Sequence, residues 1–237
     1  MYKLVAFDAY GTLFDVYSIS ELAEAIFPGH GQALALMWRD RQIEYTRLVT
    51  MSDPRPGGSE YYLPFWDLTI RALRYTCRRL GLTLSPADEA RLMAQYGCLA
   101  AFPDGLAVLA ALKAKGVQTA ILSNGNSAML ASSVASSGLG GLLDQIVSVD
   151  QVRAFKTAPQ TYQLLLDAFT LERSDILFVS SNAWDAVGAT WFGLDVFWVN
   201  RLRHPFEEIG LPPRYQGASL SALLDIFDDK SNAQGAT

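Results

Sequence analysis

Residues 3–15 read KLVAFDAYGTLFD, a short apolar run that ends at an acidic residue. The apolar part, residues 3–7, is typical of a strand that is buried on both faces. Asp8 follows this strand directly, and Gly11 permits a sharp turn shortly afterwards. A single carboxylate in such a turn most often accepts hydrogen bonds from nearby backbone N–H groups. A chemical role for Asp8 therefore depends on what the other strands carry at their ends.

Further apolar runs, rich in β-branched and aromatic residues, predict the rest of a sheet. They span residues 117–122, 145–149, 176–179 and 196–199. Helical patterns alternate with these strands at residues 105–115, 127–137, 159–169, 185–192 and 219–228. Because alternating strands and helices favour parallel pairing, the sequence predicts the α/β class, with a doubly wound parallel sheet as a Rossmann-like core.

One long segment, residues 18–98, interrupts this alternation and contains no convincing strand. Its helical patterns lie at residues 32–50, 65–80 and 86–96. We therefore predict a helical cap subdomain inserted into the core, which itself comprises residues 1–17 and 99–229. Residues 53–58, DPRPGG, predict a stiff loop inside the cap. The small polar residues at 230–237 predict a flexible tail.

The overall composition limits the possible partners. Half of the 237 residues are hydrophobic and 18% are charged, a balance that favours a folded globular protein. The net charge of −5 provides no positive field, so neither nucleic acid nor a membrane is an expected partner. The two cysteines and two histidines lack the spacing of a disulfide framework or a zinc site. No signal peptide or membrane span is recognisable, and we expect a cytoplasmic protein.

Polar residues follow several of the predicted strands. They are Asp8, Ser123, Asn124, Lys156, Ser180, Ser181 and Asn182. Ligands of doubly wound sheets bind beyond the carboxyl ends of the strands, so we expect these side chains to meet in one site. Simpler explanations remain open, because Ser123 and Asn124 could cap the helix that begins near residue 127. Lys156 could likewise be a solvated loop residue.

Four motifs in sequence order resemble those of the haloacid dehalogenase superfamily and, within it, the L-2-haloacid dehalogenases. The first is FDAYGTLFD at residues 7–15, the second is ILSNG at 121–125, the third supplies Lys156, and the fourth is FVSSNAWDA at 178–186. The resemblance covers nearly the whole chain, and the motifs fall at strand ends that were predicted independently. It implies a hydrolase with the core and cap described above.

Tyr10 separates the dehalogenases from the phosphatases of this superfamily. Similar phosphatases carry a second aspartate at this position, which protonates the leaving oxygen. They also hold Mg²⁺ with a carboxylate where this chain has Ser180 and Ser181, so that only Asp185 remains nearby. A halide leaving group needs no proton. The resemblance therefore implies cleavage of a carbon–halogen bond without a metal or another cofactor.

The resemblance also implies catalytic roles. Asp8 would be the nucleophile that forms an ester with the substrate, and Lys156 would hold Asp8 ionised. Thr12 would help to orient Asp8. The group that supports Lys156 and positions water for attack on the ester would comprise Ser180, Asn182 and Asp185, the last as base or orienting group.

Arg39 lies on a predicted cap helix, in the segment LMWRDRQIEYT at residues 36–46. Its helical stripe includes Ile43, so the arginine stem could simply cover apolar surface. The resemblance instead assigns Arg39 to the halide or the substrate carboxylate, with Arg41 as the solvated alternative. The remaining substrate contacts that the resemblance implies are Ala9, Tyr10, Ile43, Phe65, Ser123, Asn124, Tyr162 and Trp184. An aromatic residue at helical spacing, such as Phe65, could equally belong to the core.

The expected activity is hydrolytic dehalogenation of short L-2-haloalkanoic acids to D-2-hydroxyalkanoic acids and halide, with inversion through an Asp8 ester. Two alternatives are a Mg²⁺-dependent phosphatase of the same superfamily and a binding protein that keeps the fold without turnover. The expected partners are a small halogenated carboxylic acid and halide, and the resemblance implies a homodimer.

Overall fold

Six strands of the computed structural model, which describes residues 2–228, form one parallel sheet. They are β1 (Leu4–Phe7), β2 (Gln118–Ser123), β3 (Gln145–Ser148), β4 (Ile176–Ser180), β5 (Asp195–Val199) and β6 (Tyr215–Gly217). Their order is β3-β2-β1-β4-β5-β6, and all neighbouring strands are parallel. The predicted α/β class and doubly wound sheet are confirmed.

β1 lies at the centre of the sheet and determines where a site can form. All of its residues are buried, and Phe7 pairs with Ile121 of β2 on one side and Val179 of β4 on the other. The chain extends the sheet from β1 toward β3, and then in the opposite direction from β4 to β6. Such a reversal opens a crevice beyond the carboxyl ends of the central strands. Asp8, the residue after β1, therefore stands at this crevice.

Helices cover the sheet and fill the segment between β1 and β2. Within residues 2–228 the α-helices are α1 (Ile19–Ile26), α2 (Gly31–Ser52), α3 (Phe65–Arg79), α4 (Pro86–Tyr96), α5 (Pro103–Ala114), α6 (Ser127–Ser137), α7 (Pro159–Phe169), α8 (Ala183–Phe192) and α9 (Asp225–Asp228). Ser85 caps α4 by accepting the Asp88 N–H at 3.1 Å, and Pro86 occupies the first turn. None of the helices in this part of the chain combines the length and apolarity that crossing a membrane requires.

The helices α1 to α4 form the insertion that the sequence predicts between β1 and β2. The chain enters and leaves this insertion through two adjacent segments. The Asp15 N–H donates to the Ala100 carbonyl at 2.9 Å, and the Phe102 N–H donates to the Leu13 carbonyl at 2.8 Å. These contacts tie the two connections together and support our proposal of a cap with the predicted boundaries.

Three elements differ from the expected pattern. Residues 219–228 form a 3₁₀ turn (Leu220–Leu224) followed by α9, because Leu220 and Leu223 are buried at the three-residue spacing of a 3₁₀ helix. The sequence did not predict α1, which has eight residues, or β6, a three-residue strand with no fully buried residue. β6 is too short to carry a clear apolar period, whereas α1 places Ile19, Leu22, Ala23 and Ile26 at helical spacing, a signal that could have predicted it. The tail predicted at residues 230–237 lies outside the described residues.

Candidate active site

Polar residues that follow β1, β2, β3 and β4 meet beyond the carboxyl edge of the sheet. Lys156 Nζ lies 3.0 Å from Asp8 Oδ1, and Asn182 Nδ2 lies 2.8 Å from Asp8 Oδ2. Asn124 joins the group because its Oδ1 accepts the Lys156 backbone N–H at 2.9 Å. Four separate segments of the chain thus contribute to one cluster around the Asp8 carboxylate.

The Asp8 carboxylate is buried, with 5% of the residue exposed. Besides Lys156 and Asn182, it accepts a hydrogen bond from Thr12 Oγ1 at 3.1 Å. These three partners are side chains from three different segments, rather than the backbone N–H groups of a simple Asx turn. A carboxylate held at both oxygens by positive and neutral donors is fixed in direction.

Lys156 is a buried cation, and the alternative of a solvated loop residue is wrong. Its side chain has no exposed surface, and its Nζ lies 2.9 Å from Asp185 Oδ2 as well as 3.0 Å from Asp8 Oδ1. Burial by itself lowers the pKa of Lys156, but attraction to Asp185 and Asp8 outweighs burial, so the pKa lies above its ordinary value. The ammonium group therefore stays charged between two carboxylates.

Asp185 lies in the first turn of α8, completely buried behind Lys156. Its Oδ1 accepts the Tyr162 hydroxyl at 2.7 Å. Burial raises the pKa of Asp185 to about 6, although Lys156 and Tyr162 both favour its charged form. Tyr162, which the resemblance placed among the substrate contacts, is fully buried and contacts Asp185 instead of lining the open cleft.

The turns after β1 and β4 hold each other in place. Thr12 Oγ1 accepts the Ser181 backbone N–H at 2.8 Å, and the Ser181 hydroxyl donates to the Gly11 carbonyl. Gly11 has φ of 92°, a left-handed conformation that favours glycine. Ser180 Oγ accepts the Asn182 N–H at 3.1 Å. Ser180 and Asn182 therefore shape the Asp8 side of the site, and among the three residues predicted to support Lys156 only Asp185 contacts its ammonium group.

Ser123 and Asn124 do not cap the following helix. The N-cap of α6 is Asn126, and the Ser123 hydroxyl instead accepts the Gly125 N–H at 3.0 Å. Asn124 Oδ1 accepts the Lys156 backbone N–H, and this hydrogen bond fixes the orientation of the amide. Its Nδ2 is buried and has no hydrogen-bond partner within residues 2–228. A buried donor without a partner is costly, and such a donor is suited to binding an anion.

Arg39 extends from α2 across the crevice to the Asp8 side of the site. One guanidinium nitrogen, Nη2, lies 3.2 Å from the Tyr10 carbonyl and 3.4 Å from Asn182 Oδ1. This direction contradicts a purely snorkelling role, in which the head would point to water. Arg41 points away from the site and lies over the Tyr75 ring, with its guanidinium carbon 4.2 Å from the ring centroid. Of Arg39 and Arg41, the cap therefore directs Arg39 to the Asp8 side of the site.

Aromatic residues of the cap close around Tyr10. The Tyr10 ring is 2% exposed and lies 5.9 Å from the Phe65 ring and 5.7 Å from the Tyr96 ring, measured between centroids. Ala9 is also fully buried. Phe65 is 1% exposed and therefore belongs to the hydrophobic core between the cap and the turn after β1. Its helical spacing had left this possibility open. Burial raises the pKa of the Tyr10 hydroxyl above its ordinary value, so Tyr10 is a weak acid.

An open cleft of about 760 Å³ leads from the surface to this cluster. Arg39, Ile43, Asn182 and Trp184 are among its lining residues. The guanidinium carbon of Arg47 lies 5.7 Å from the Trp184 ring centroid at this wall. The cleft therefore brings together apolar surface, the arginines Arg39, Arg47 and Arg201, and the side of the site that carries Asp8.

The positive charge at the base of the site comes from a side chain. Lys156 occupies the space between Asp8 and Asp185 through its two ion pairs. In the part of the chain that the structure describes, no group of three His, Cys, Asp or Glu side chains is placed to hold a metal ion. The arrangement can therefore present an oriented carboxylate, held by Lys156, to an electrophile in the cleft.

This combination of a doubly wound core, an inserted helical cap and an Asp–Lys–Asp cluster defines a hydrolase of a known type. A family model of haloacid dehalogenase-like hydrolases matches residues 2–193, and the chain belongs to that family. It is 41% identical to an "(S)-2-haloacid dehalogenase" of Pseudomonas sp. (strain YL), over 95% of this chain and 94% of that protein.

Solved structures are similar over nearly the same length. The L-2-haloacid dehalogenase RSc1362 has a TM-score of 0.93 and 51% identity, over 96% of this chain and 99% of that one. The L-2-haloacid dehalogenase from Xanthobacter autotrophicus, solved with chloropropionic acid covalently bound, has a TM-score of 0.88 and 33% identity, over 96% of this chain and 99% of that one.

Two residues that contact the site were missed by sequence reasoning. Gln42 Oε1 lies 3.3 Å from Arg39 Nη1, and Arg201 Nη2 donates to the Thr12 carbonyl at 3.4 Å. Gln42 could have been found, because it lies three residues after Arg39 and so on the same face of a helix. Arg201 follows β5 outside every motif, and no sequence signal marks it.

Proposed function

We propose that this chain hydrolyses short L-2-haloalkanoic acids to D-2-hydroxyalkanoic acids and halide, through an ester at Asp8. The observation that carries this proposal is the Asp8 carboxylate, buried beside the cleft with one oxygen 3.0 Å from Lys156 Nζ. The relatives named (S)-2-haloacid dehalogenases support the substrate class, and the neighbour with covalently bound chloropropionic acid supports the ester.

In the first step an Asp8 oxygen attacks the halogen-bearing carbon from the side opposite the halogen. The carbon–oxygen bond forms as the carbon–halogen bond breaks, and the halide leaves with the electron pair. Backside attack inverts the configuration, and no proton is needed. Arg39 and the Nδ2 donor of Asn124 bind the substrate carboxylate and the leaving halide.

In the second step water attacks the carboxyl carbon of the Asp8 ester. The bond between that carbon and the ester oxygen breaks, so the product keeps an original Asp8 oxygen on its inverted carbon. One water proton passes to the product hydroxyl, and Asp185 or water accepts the other. Lys156 lies between Asp185 and Asp8 and stabilises the carboxylate that is regenerated. Thr12 and Asn182 orient the same carboxylate in both steps.

A phosphatase is less well supported by this site. Tyr10 stands where the phosphatases of the superfamily carry their acid, and a buried phenol with a raised pKa is a poor proton donor to a leaving alkoxide. A binding protein without turnover is less well supported too, because an ionised carboxylate held beside a cleft is a reactive arrangement.

Halide release is the direct test of the proposed function. We expect chloride to be released from L-2-chloropropionate and chloroacetate, and not from D-2-chloropropionate, with D-lactate formed from the L substrate. Ion chromatography and chiral chromatography measure both products. Release of phosphate from an aryl phosphate with Mg²⁺, and no halide release, would replace this proposal with the phosphatase.

Removal of divalent metals should leave the activity unchanged. Lys156 supplies the positive charge that holds Asp8, and its side chain is covalently part of the protein. We expect the same rate of chloride release after dialysis against EDTA as before it. Loss of activity with EDTA and recovery with Mg²⁺ would show that a metal takes part.

The rate of ester hydrolysis should fall as the pH is lowered through about 6. The reason is that burial raises the pKa of Asp185 to about 6, so that Asp185 becomes protonated and loses its capacity as a base.

The free energy of unfolding should change in the opposite direction with pH. Between the ordinary value of 3.8 and about 6 the folded chain binds a proton at Asp185 that the unfolded chain does not, so this group favours folding as the pH falls through that window. Asp185→Asn should remove both dependences. Stopped-flow kinetics and urea unfolding at several pH values measure them.

The homodimer and the cytoplasmic location also belong to this proposal, and both rest on the resemblance to dehalogenases. Size-exclusion chromatography with light scattering tests the dimer, for which a mass of twice 26.0 kDa is expected. A mass of one chain at micromolar concentration would contradict it.

A further inference from the structure

A completely buried amide connects Arg39 to the packing of the cap. Gln42, on α2, has no exposed surface. Its Oε1 accepts hydrogen bonds from Arg39 Nη1 at 3.3 Å and from the Tyr96 hydroxyl at 3.1 Å. Its Nε2 donates to Thr69 Oγ1 at 2.7 Å. The amide therefore joins three cap helices, α2, α3 and α4, to Arg39, which reaches the Asp8 side of the site.

The direction of this amide follows from the donors around it. Thr69 has one hydroxyl proton, and that proton is donated to the Phe65 carbonyl at 2.7 Å. Thr69 Oγ1 can therefore only accept from Gln42, which requires the NH₂ end of the amide to face Thr69. The carbonyl end then faces Arg39 and Tyr96, where two donors converge on it. A buried chain of this kind, partnered at both ends, has one preferred arrangement.

We propose that Gln42 is a positioning residue for Arg39. By holding Nη1 it fixes the plane of the guanidinium group and directs Nη2 toward Tyr10 and Asn182, beside Asp8. A long arginine side chain otherwise has many rotamers, and each would place its charge differently over the cleft. This inference rests on the proposed function in one respect, namely that Arg39 binds an anion.

A double-mutant cycle tests whether Gln42 acts through Arg39. Gln42→Met keeps the length of the side chain and removes the acceptor, and Arg39→Lys removes the planar guanidinium. For L-2-chloropropionate we expect Gln42→Met to lower kcat/KM about tenfold in the wild-type background, the usual scale of one hydrogen bond to a charged group. In the Arg39→Lys background we expect it to have less than about a twofold effect, because the group it positions is gone. Equal losses in both backgrounds would overturn the inference.

Thr46→Val is the matched control for loss of a buried polar group on the same helix. Thr46 is fully buried, and its hydroxyl donates to the Ile43 carbonyl at 2.7 Å without contacting Arg39. We expect this variant to lower the thermal midpoint, as Gln42→Met does, while its kcat and KM stay at the wild-type values. If Thr46→Val reduces kcat/KM as much as Gln42→Met, the kinetic loss is a general effect of a loosened cap and the inference fails.

Calorimetric titration with chloride and with propionate separates this inference from the proposed function. The same four proteins of the cycle are used, and no turnover is needed. If the wild type releases no halide, the proposed function fails. The positioning role then stands if Gln42→Met weakens binding of either anion about tenfold only when Arg39 is present. An unchanged dissociation constant, or a wild type that binds neither anion, would overturn it.

Discussion

Asp8→Asn is expected to lower halide release by at least about 10⁴-fold, because an amide oxygen is a poor nucleophile. The fold should persist, since asparagine has nearly the same size and its oxygen can still accept from Thr12. Chloride release, measured by ion chromatography, and thermal unfolding, measured by circular dichroism, give the two readouts.

The control for Asp8→Asn is Asp167→Asn, which changes an exposed carboxylate on α7. It should retain wild-type activity. The mass of the peptide that contains residue 8 excludes deamidation back to aspartate. Substantial turnover in an undeamidated Asp8→Asn protein would remove Asp8 from the mechanism.

Lys156→Met is expected to damage both stability and activity. It leaves Asp8 and Asp185 buried with no opposing charge, and breaking a buried ion pair in this way typically costs about 3–5 kcal/mol of unfolding free energy. Halide release should fall about 10²- to 10³-fold, the usual loss when a preorganised charge is removed from an active site. Urea unfolding and chloride release measure the two effects.

Two further variants separate burial from charge in this prediction. Lys3→Met removes a lysine whose side chain is 63% exposed and lies 3.1 Å from Asp175, and it should cost less than about 1 kcal/mol. Lys156→Met combined with Asp185→Asn removes one of the two unpaired carboxylates and should regain part of the lost stability without regaining activity. If Lys156→Met unfolds at the wild-type urea concentration, the buried ion pairs do not have the stabilising role described here.

The central strands and the residues that end them could be predicted because each carries a strong local signal. The run before Asp8 is apolar at every position, which is the pattern of a strand covered on both faces. Parallel packing then brings the ends of such strands to one edge. The meeting of Asp8 with Lys156 and Asn182, far apart in the chain, follows from this topology.

The parts that could not be predicted depend on contacts between distant segments. The side chain of Gln42 is buried by residues of α3 and α4, and a sequence pattern does not show how the cap helices face each other. Tyr162 occurs at the position expected of a substrate contact, yet its hydroxyl donates a hydrogen bond to the carboxylate of Asp185. Arg201 donates to the Thr12 carbonyl from the segment after β5, where an ion pair with Asp104 holds the arginine in place. Such choices are made by tertiary packing rather than by local propensity.

The Asp8 ester is the central claim, and the position of oxygen after a single turnover tests it most directly. Enzyme in excess over L-2-chloropropionate reacts once in H₂¹⁸O, and mass spectrometry then examines both the D-lactate and the peptide that contains Asp8. If Asp8 attacks the substrate and water opens the ester at the carboxyl carbon, the heavy oxygen appears in the Asp8 peptide and the lactate hydroxyl is unlabelled. Heavy oxygen in the lactate hydroxyl, with none in the peptide, would contradict the ester and indicate direct attack by water.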